Sequence, residues 1–206
     1  MKQEFLESNI VLLGKFSPSK YDKLFFIKNE LIKEEKFSEK SIFTPEFSNI
    51  ITDKLLINVR SNQLLIVNRL DGKIKKSNKI AKIIFENNSE IDAVGFNFKY
   101  FIFSDNEIKE HTKKVFYPIN SEILNKTFDT KDSAFGYYAS KKFLNSRMKL
   151  DIKPVLVRNI KDDVSLKTLS FDFNFHIMNK ENYIQKSLNE YSVYCKEVNK
   201  IISNYE

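Results

Sequence analysis

A chain of 206 residues, 42% hydrophobic and 14% aromatic, is long enough to fill a core of its own, which excludes disorder throughout. Its single cysteine excludes an intramolecular disulfide and suits a reducing compartment. The formal charge of +7 invites polyanions, yet 34 basic residues, nearly all lysine, alternate evenly with 27 acids, so a solvated surface is the favoured origin of the charge.

The first residues, Met1 to Glu7, carry acids and no apolar core, so no secretory signal is expected there. Ile10 to Gly14 reads as a buried strand, and Ser17-Pro18 then opens a helix, with Ser17 as its N-cap and Tyr21, Leu24 and Phe25 at helical spacing. Ser41 to Phe47 contains Pro45, which cannot donate to a sheet ladder, and is expected to be an edge strand or extended loop. Leu55–Arg60 and Leu64–Leu70 flank Ser61-Asn62-Gln63 and form the clearest hairpin, ended by Asp71-Gly72. Ile80, Ile83 and Ile84 mark an amphipathic helix from about Ile74 to Asn87.

Ala93 to Phe103 is a long strand with Phe96, Phe98 and Tyr100 on one face. A short helix is expected from about Ile119 to Lys126, with Asn120 or Ser121 near its start. Strands follow at about Ser133–Leu144, Ile152–Ile160 and Val164–Met178, the last two joined by a turn at Asp162-Asp163. Asn179 then caps a helix running to about Asn204. No apolar run approaches the ~18 residues that cross a bilayer, so a cytoplasmic protein without a membrane partner is expected.

The order β-α-βββ-α therefore reads twice, over residues 8–90 and 93–206. The expected fold is α+β: one domain over 1–206 with pseudo-duplicated halves, a curved antiparallel sheet and helices on one face, as in the saddle of TATA-box-binding-like folds. Asn68 and Asn174, each late in the strand before an amphipathic helix, are the one tempting equivalence between halves.

Three segments carry a resemblance: Val11-Leu12-Leu13-Gly14-Lys15-Phe16-Ser17-Pro18, Ala93-Val94-Gly95-Phe96-Asn97-Phe98, and Phe173-Asn174-Phe175-His176. In this order they resemble a loosely defined group of uncharacterised bacterial proteins with a Gly-x-Phe-x-Pro strand end, a central Gly-x-Asn strand and an Asn-x-His strand before a C-terminal helix. The group brings no activity with it. Some such proteins occur in anti-phage defence loci, which is the context the resemblance implies.

Candidate chemistry is sparse. Asp151-Ile152-Lys153 has the D-x-K form of a restriction-type nuclease, in which the acid binds magnesium and the lysine polarises water or phosphate, with Asp132 or Asp129 as a preceding acid. A solvated strand entrance is the favoured reading. Glu107 and His111 share a helix face but lack a third ligand, so no metal site is expected. His176 alternates with phenylalanines and reads as a strand histidine beside Asn174, and Cys195 as a structural thiol. Four scattered glycines build no phosphate cradle, so no cofactor is expected.

Two basic clusters point to nucleic acid: Lys73, Lys75, Lys76, Lys79 and Lys82 on the second helix, and Lys141, Lys142, Arg147 and Lys149 after Tyr137 and Tyr138. The same sheet could dock a protein through an edge strand or an aromatic patch. The reading favoured is a non-catalytic interaction or accessory protein, with a protein partner or a second copy of itself. A nucleic-acid binder is the second reading, and a magnesium nuclease at Asp132, Asp151 and Lys153 the third.

Overall fold

A computed structural model describes residues 2–68, 74–103, 110, 112–113, 116, 122–128, 130, 133–159 and 164–205. The fold is mixed α and β. Its strands are β1 (Lys2–Gly14), β2 (Ile42–Phe43), β3 (Ser48–Ile51), β4 (Leu55–Arg60), β5 (Gln63–Asn68), β6 (Ile91–Phe103), β7 (Tyr137–Phe143), β8 (Ser146–Asn159) and β9 (Val164–Met178). They form one open antiparallel sheet of nine strands in the order β2-β3-β4-β5-β1-β6-β9-β8-β7. Its helices are α1 (Lys23–Lys28), α2 (Ile74–Glu86), α3 (Glu122–Thr127), α4 (Tyr183–Asn189) and α5 (Tyr191–Ser203).

Strand alternation sends every second side chain to the helix layer. Across the centre of the sheet this face carries Ile66, Ile10, Phe96 and Phe175, which are register neighbours from β5 to β9 and are all fully buried. Tyr191 and Tyr194 of α5 close over them, with ring centroids 4.8 and 5.0 Å from Phe96 in edge-on geometry. Each such ring contributes about 1.5–3 kcal/mol through burial, and the edge-on pairs somewhat more. α2 lays Ile80, Ala81 and Ile84 on β1 and β5, and its Asn78 Nδ2 donates to Leu188 O of α4 at 3.0 Å, so the helices form one continuous layer.

Several boundaries differ from the sequence expectation. Pro18–Lys20 is a 3-10 turn, and Ser17 makes no capping bond; Asp22 caps α1 by accepting from Phe25 N. A proline two residues before Lys20 suits a tight first turn, but the aspartate offers the better acceptor. Ser41 to Phe47 holds a two-residue edge strand, and the chain turns back at Thr44 to form β3. The hairpin turn after Arg60 has two residues, Ser61 and Asn62, since Arg60 faces Gln63 in the ladder.

β8 begins at Ser146, not Ile152, so the basic residues Arg147 and Lys149 sit within a strand. Asn179 is no helix cap: its amide donates to Ile91 O at 2.7 Å and ties the end of β9 to the start of β6. The C-terminal helix is two helices, parted at Glu190. Asp71-Gly72 and Asp162-Asp163 lie outside the described residues, as does the chain from Ile119 to Ser121. No helix of the described residues is long and apolar enough to cross a membrane.

Candidate functional site

The second face of the sheet is not covered by α2, α4 or α5, and its centre is polar because polar residues stand between the core residues in the strand sequences. Asn9 lies between Ser8 and Ile10, Asn97 between Phe96 and Phe98, and Asn174 between Phe173 and Phe175. Pairing of β1, β6 and β9 places the three asparagines side by side in one row. Asn174 Nδ2 donates to Asn97 Oδ1 at 2.6 Å, and Asn97 Nδ2 donates to Asn9 Oδ1 at 2.6 Å. The row is half-exposed. Gly95 packs beside the row: a Cβ there would lie in ordinary van der Waals contact with Asn97 Nδ2 and Val11 Cβ, both at 3.8 Å.

Next to the asparagines lies a charged network. Asp151 of β8 and Asp172 of β9 are register partners, and Lys153 Nζ lies 3.0 Å from a carboxylate oxygen of each. Lys99 of β6 reaches Asp172 at 3.6 Å, and Ser170 Oγ donates to the same carboxylate at 3.3 Å. The Asp151 carboxylate, then that of Asp172, raises the Lys153 ammonium above the ordinary lysine value, because both favour its charged form. Asparagine row and charged network together floor a trough of about 560 Å³ with Glu7, Tyr138 and Lys149 at its sides.

The D-x-K pair is thus brought together on one face, as its two-residue spacing on a strand requires, but its lysine is held by both carboxylates. Asp132 and Asp129 lie outside the described residues, as do Glu107, His111 and Lys73. Among the described residues no three His, Cys, Asp or Glu side chains gather in a way that could hold a metal ion. The acid that does stand beside Asp151 is Asp172, which sequence reading missed because the two are neighbours only through the β8–β9 register.

The sheet separates the first basic cluster from all of the second but Lys141. Lys75, Lys76, Lys79 and Lys82 belong to α2 in the helix layer. Lys141 also points to that layer, where its ammonium lies 2.6 Å from Glu197 of α5 and 5.8 Å from the Phe143 ring centroid. Lys142, Arg147 and Lys149 stand on the trough face instead, Lys142 and Arg147 as register partners and Arg147 bonded to Ser140 Oγ. Tyr138 on that face is 61% exposed.

His176 shares the trough face with Asn174, as alternation requires, and its Nε2 contacts Met178 Sδ at 3.0 Å. Asn68 and Asn174 are not equivalent: Asn68 is buried beneath the helix layer, whereas Asn174 faces the trough. Burial pushes the Cys195 thiol up to about 12, which suits a packing role and not a nucleophile. Asn97 and Asn174 were within reach of the sequence, since both fall in the Gly-x-Asn and Asn-x-His segments; Asn9 and Asp172 carried no local signal.

No protein-family model matches the chain, and no curated protein matches it.

Proposed function

We propose that this protein is a non-catalytic interaction protein that holds a protein partner on the trough face of its sheet. The observation that carries this reading is the asparagine row flanked by charges of both signs. Its amides offer donors and acceptors, and Glu7, Asp151 and Asp172 alternate with Lys99, Lys149 and Lys153 around it. Such a mixture suits the mixed charges of a protein surface better than a polyanion, whose phosphates would meet three carboxylates. The commitment of both aspartates to Lys153 favours this over the nuclease reading. Both sheet edges also carry exposed apolar groups, Ile42 on β2 and Tyr137 and Tyr138 on β7, which suits strand or aromatic docking.

The halves 8–90 and 93–206 are read as related by an internal pseudo-two-fold through the Asn9–Asn97 pair. Supporting it, β5, β4 and β3 follow β1 outward as β9, β8 and β7 follow β6. In that relation Val67, which pairs with Asn9, takes the place of Asn174, which pairs with Asn97.

The test is purification of the tagged protein from its native host with nuclease treatment, comparing wild type with Tyr138→Ala/Lys149→Ala and with Lys79→Ala. The expected outcome is a stoichiometric protein retained by wild type and Lys79→Ala but lost from the trough variant. Equal retention by all three would end the reading.

A second reading, nucleic-acid binding, is favoured by one observation: Lys142, Arg147 and Lys149 share one face of the sheet with the exposed Tyr138. It expects nuclease-sensitive material whose retention falls steeply with salt.

A further inference from the structure

A second cavity, of about 320 Å³, lies in the half of the sheet away from β7, where the start of α2 meets the start of β4 and the end of β5. Among the described residues its rim carries Lys36, Lys54 and Lys76 against one acid, Asp53. Among the described residues none of these three ammonium groups has a carboxylate partner. Its inner wall is Leu55 and Asn68, both buried, and Asn68 is only 1% exposed. Among the described residues the Asn68 amide nitrogen has no hydrogen-bond partner.

A primary amide buried without an acceptor is unfavourable, and native proteins keep few of them. Here the unmet donor lines a pocket whose rim carries an excess of positive charge, so what it lacks is an acceptor that is itself negative. The position of Lys76 in the first turn of α2, a helix of 13 residues with no acid in that turn, adds the positive end of the backbone dipole to the same place. We infer that this cavity binds the phosphate group of a small phosphorylated molecule, with Asn68 Nδ2 donating to a phosphate oxygen and Lys54, Lys76 and Lys36 neutralising its charge. A dianion fits better than a carboxylate, because three flexible ammonium groups supply more charge than one carboxylate needs. The site is separate from the trough and independent of its partner.

Inorganic phosphate and pyrophosphate serve as probes, followed by calorimetric titration and by the melting temperature at constant ionic strength, with chloride as the control anion. Saturable binding that raises the melting temperature is expected for wild type. Affinity should fall by about tenfold or more in Lys54→Ala/Lys76→Ala, as expected for losing a charge-assisted hydrogen bond. Asn68→Leu should abolish binding while the ligand-free protein melts at or above the wild-type temperature, since the unmet donor is gone. Lys79→Ala, on α2 but outside the cavity, should bind as wild type. A response that chloride reproduces, or equal affinity in wild type and the double lysine variant, would overturn the assignment and leave water as the partner of Asn68.

Discussion

Asn174 donates a hydrogen bond from its amide to Asn97, 77 residues earlier in the chain, and Asn97 donates one to Asn9, so one side chain is both acceptor and donor in a line across three strands. Replacing the middle residue breaks both bonds. Asn97→Ala is expected to cost about 1–2 kcal/mol, given roughly 1 kcal/mol for a typical bond and the half-exposed setting. Asn97→Asp keeps the acceptor for Asn174 and loses the donor to Asn9, so it should lie between. Urea unfolding of the three proteins checks the order.

Tyr194 sits among Phe96, Phe143 and Phe175, with ring centroids 5.0 to 5.5 Å away, and its hydroxyl donates to Ser187 Oγ at 2.9 Å. Tyr194→Phe keeps the ring and loses the bond, at about 0.5–1.5 kcal/mol. Tyr194→Ala opens a cavity between α5 and the sheet, at about 3–5 kcal/mol by analogy with other large aromatic truncations. Unfolding midpoints of both variants test the gap between them of about 1.5 kcal/mol or more, tenfold or more in the unfolding equilibrium.

Stability should fall at alkaline pH. Burial pushes the Cys195 thiol up to about 12, and burial together with the nearby Cys195 pushes the Tyr100 hydroxyl up to about 12. The unfolded chain therefore releases these protons first, from a thiol near 9.0 and a phenol near 10.0. Above those values the unfolded state binds fewer protons than the folded one, so stability declines from about pH 9 until both groups ionise in the folded state near pH 12. Urea midpoints at pH 8, 9.5 and 11 should fall in that order, and Cys195→Ala should flatten the first part of the decline. At pH 8 a thiol reagent should react slowly with the native protein and quickly in urea.

Lys153 lies between two carboxylates but is half-exposed. Lys153→Ala should cost no more than about 1 kcal/mol, in line with surface pairs, and the loss should shrink in 1 M salt. A loss that salt leaves unchanged would mean that packing of the lysine stem matters more than its charge.

Gly14 ends β1 at a φ of +156°, and a Cβ there would strike the backbone of Glu90 and Ile91. Gly14→Ala is expected to cost about 1–3 kcal/mol, the range for a forced backbone. A drop in melting temperature with no change in what wild-type protein retains on purification would mark a purely structural role.

Much of the fold could be read locally. Phe171, Phe173, Phe175 and Ile177 announce β9 through alternation alone, and the isoleucines of α2 announce a helix. Met148 and Leu150 alternate with Arg147 and Lys149 in the same way, but the four bases in and around this stretch mask the apolar period of the first half of β8. The break at Glu190 has no glycine or proline to mark it. Trough and phosphate cavity were beyond local reading, because each is assembled by pairing between distant strands: nothing near Asp151 in sequence indicates Asp172, and nothing near Asn68 indicates Lys36.

β1 lies in the middle of the sheet with β5 on one side and β6 on the other. During synthesis it emerges before every other strand of this sheet but is flanked on both sides only once β6 has been made: Asn9 waits for a partner 88 residues further on. A ribosome paused between β5 and β6 holds a half-sheet whose inner edge, from Phe5 to Leu13, is bare and apolar on one side. Pairings this distant in sequence close slowly, and a bare strand edge recruits other chains. Fast, uninterrupted translation through Phe103, or a chaperone covering β1 until then, is what this topology asks of the cell that makes it.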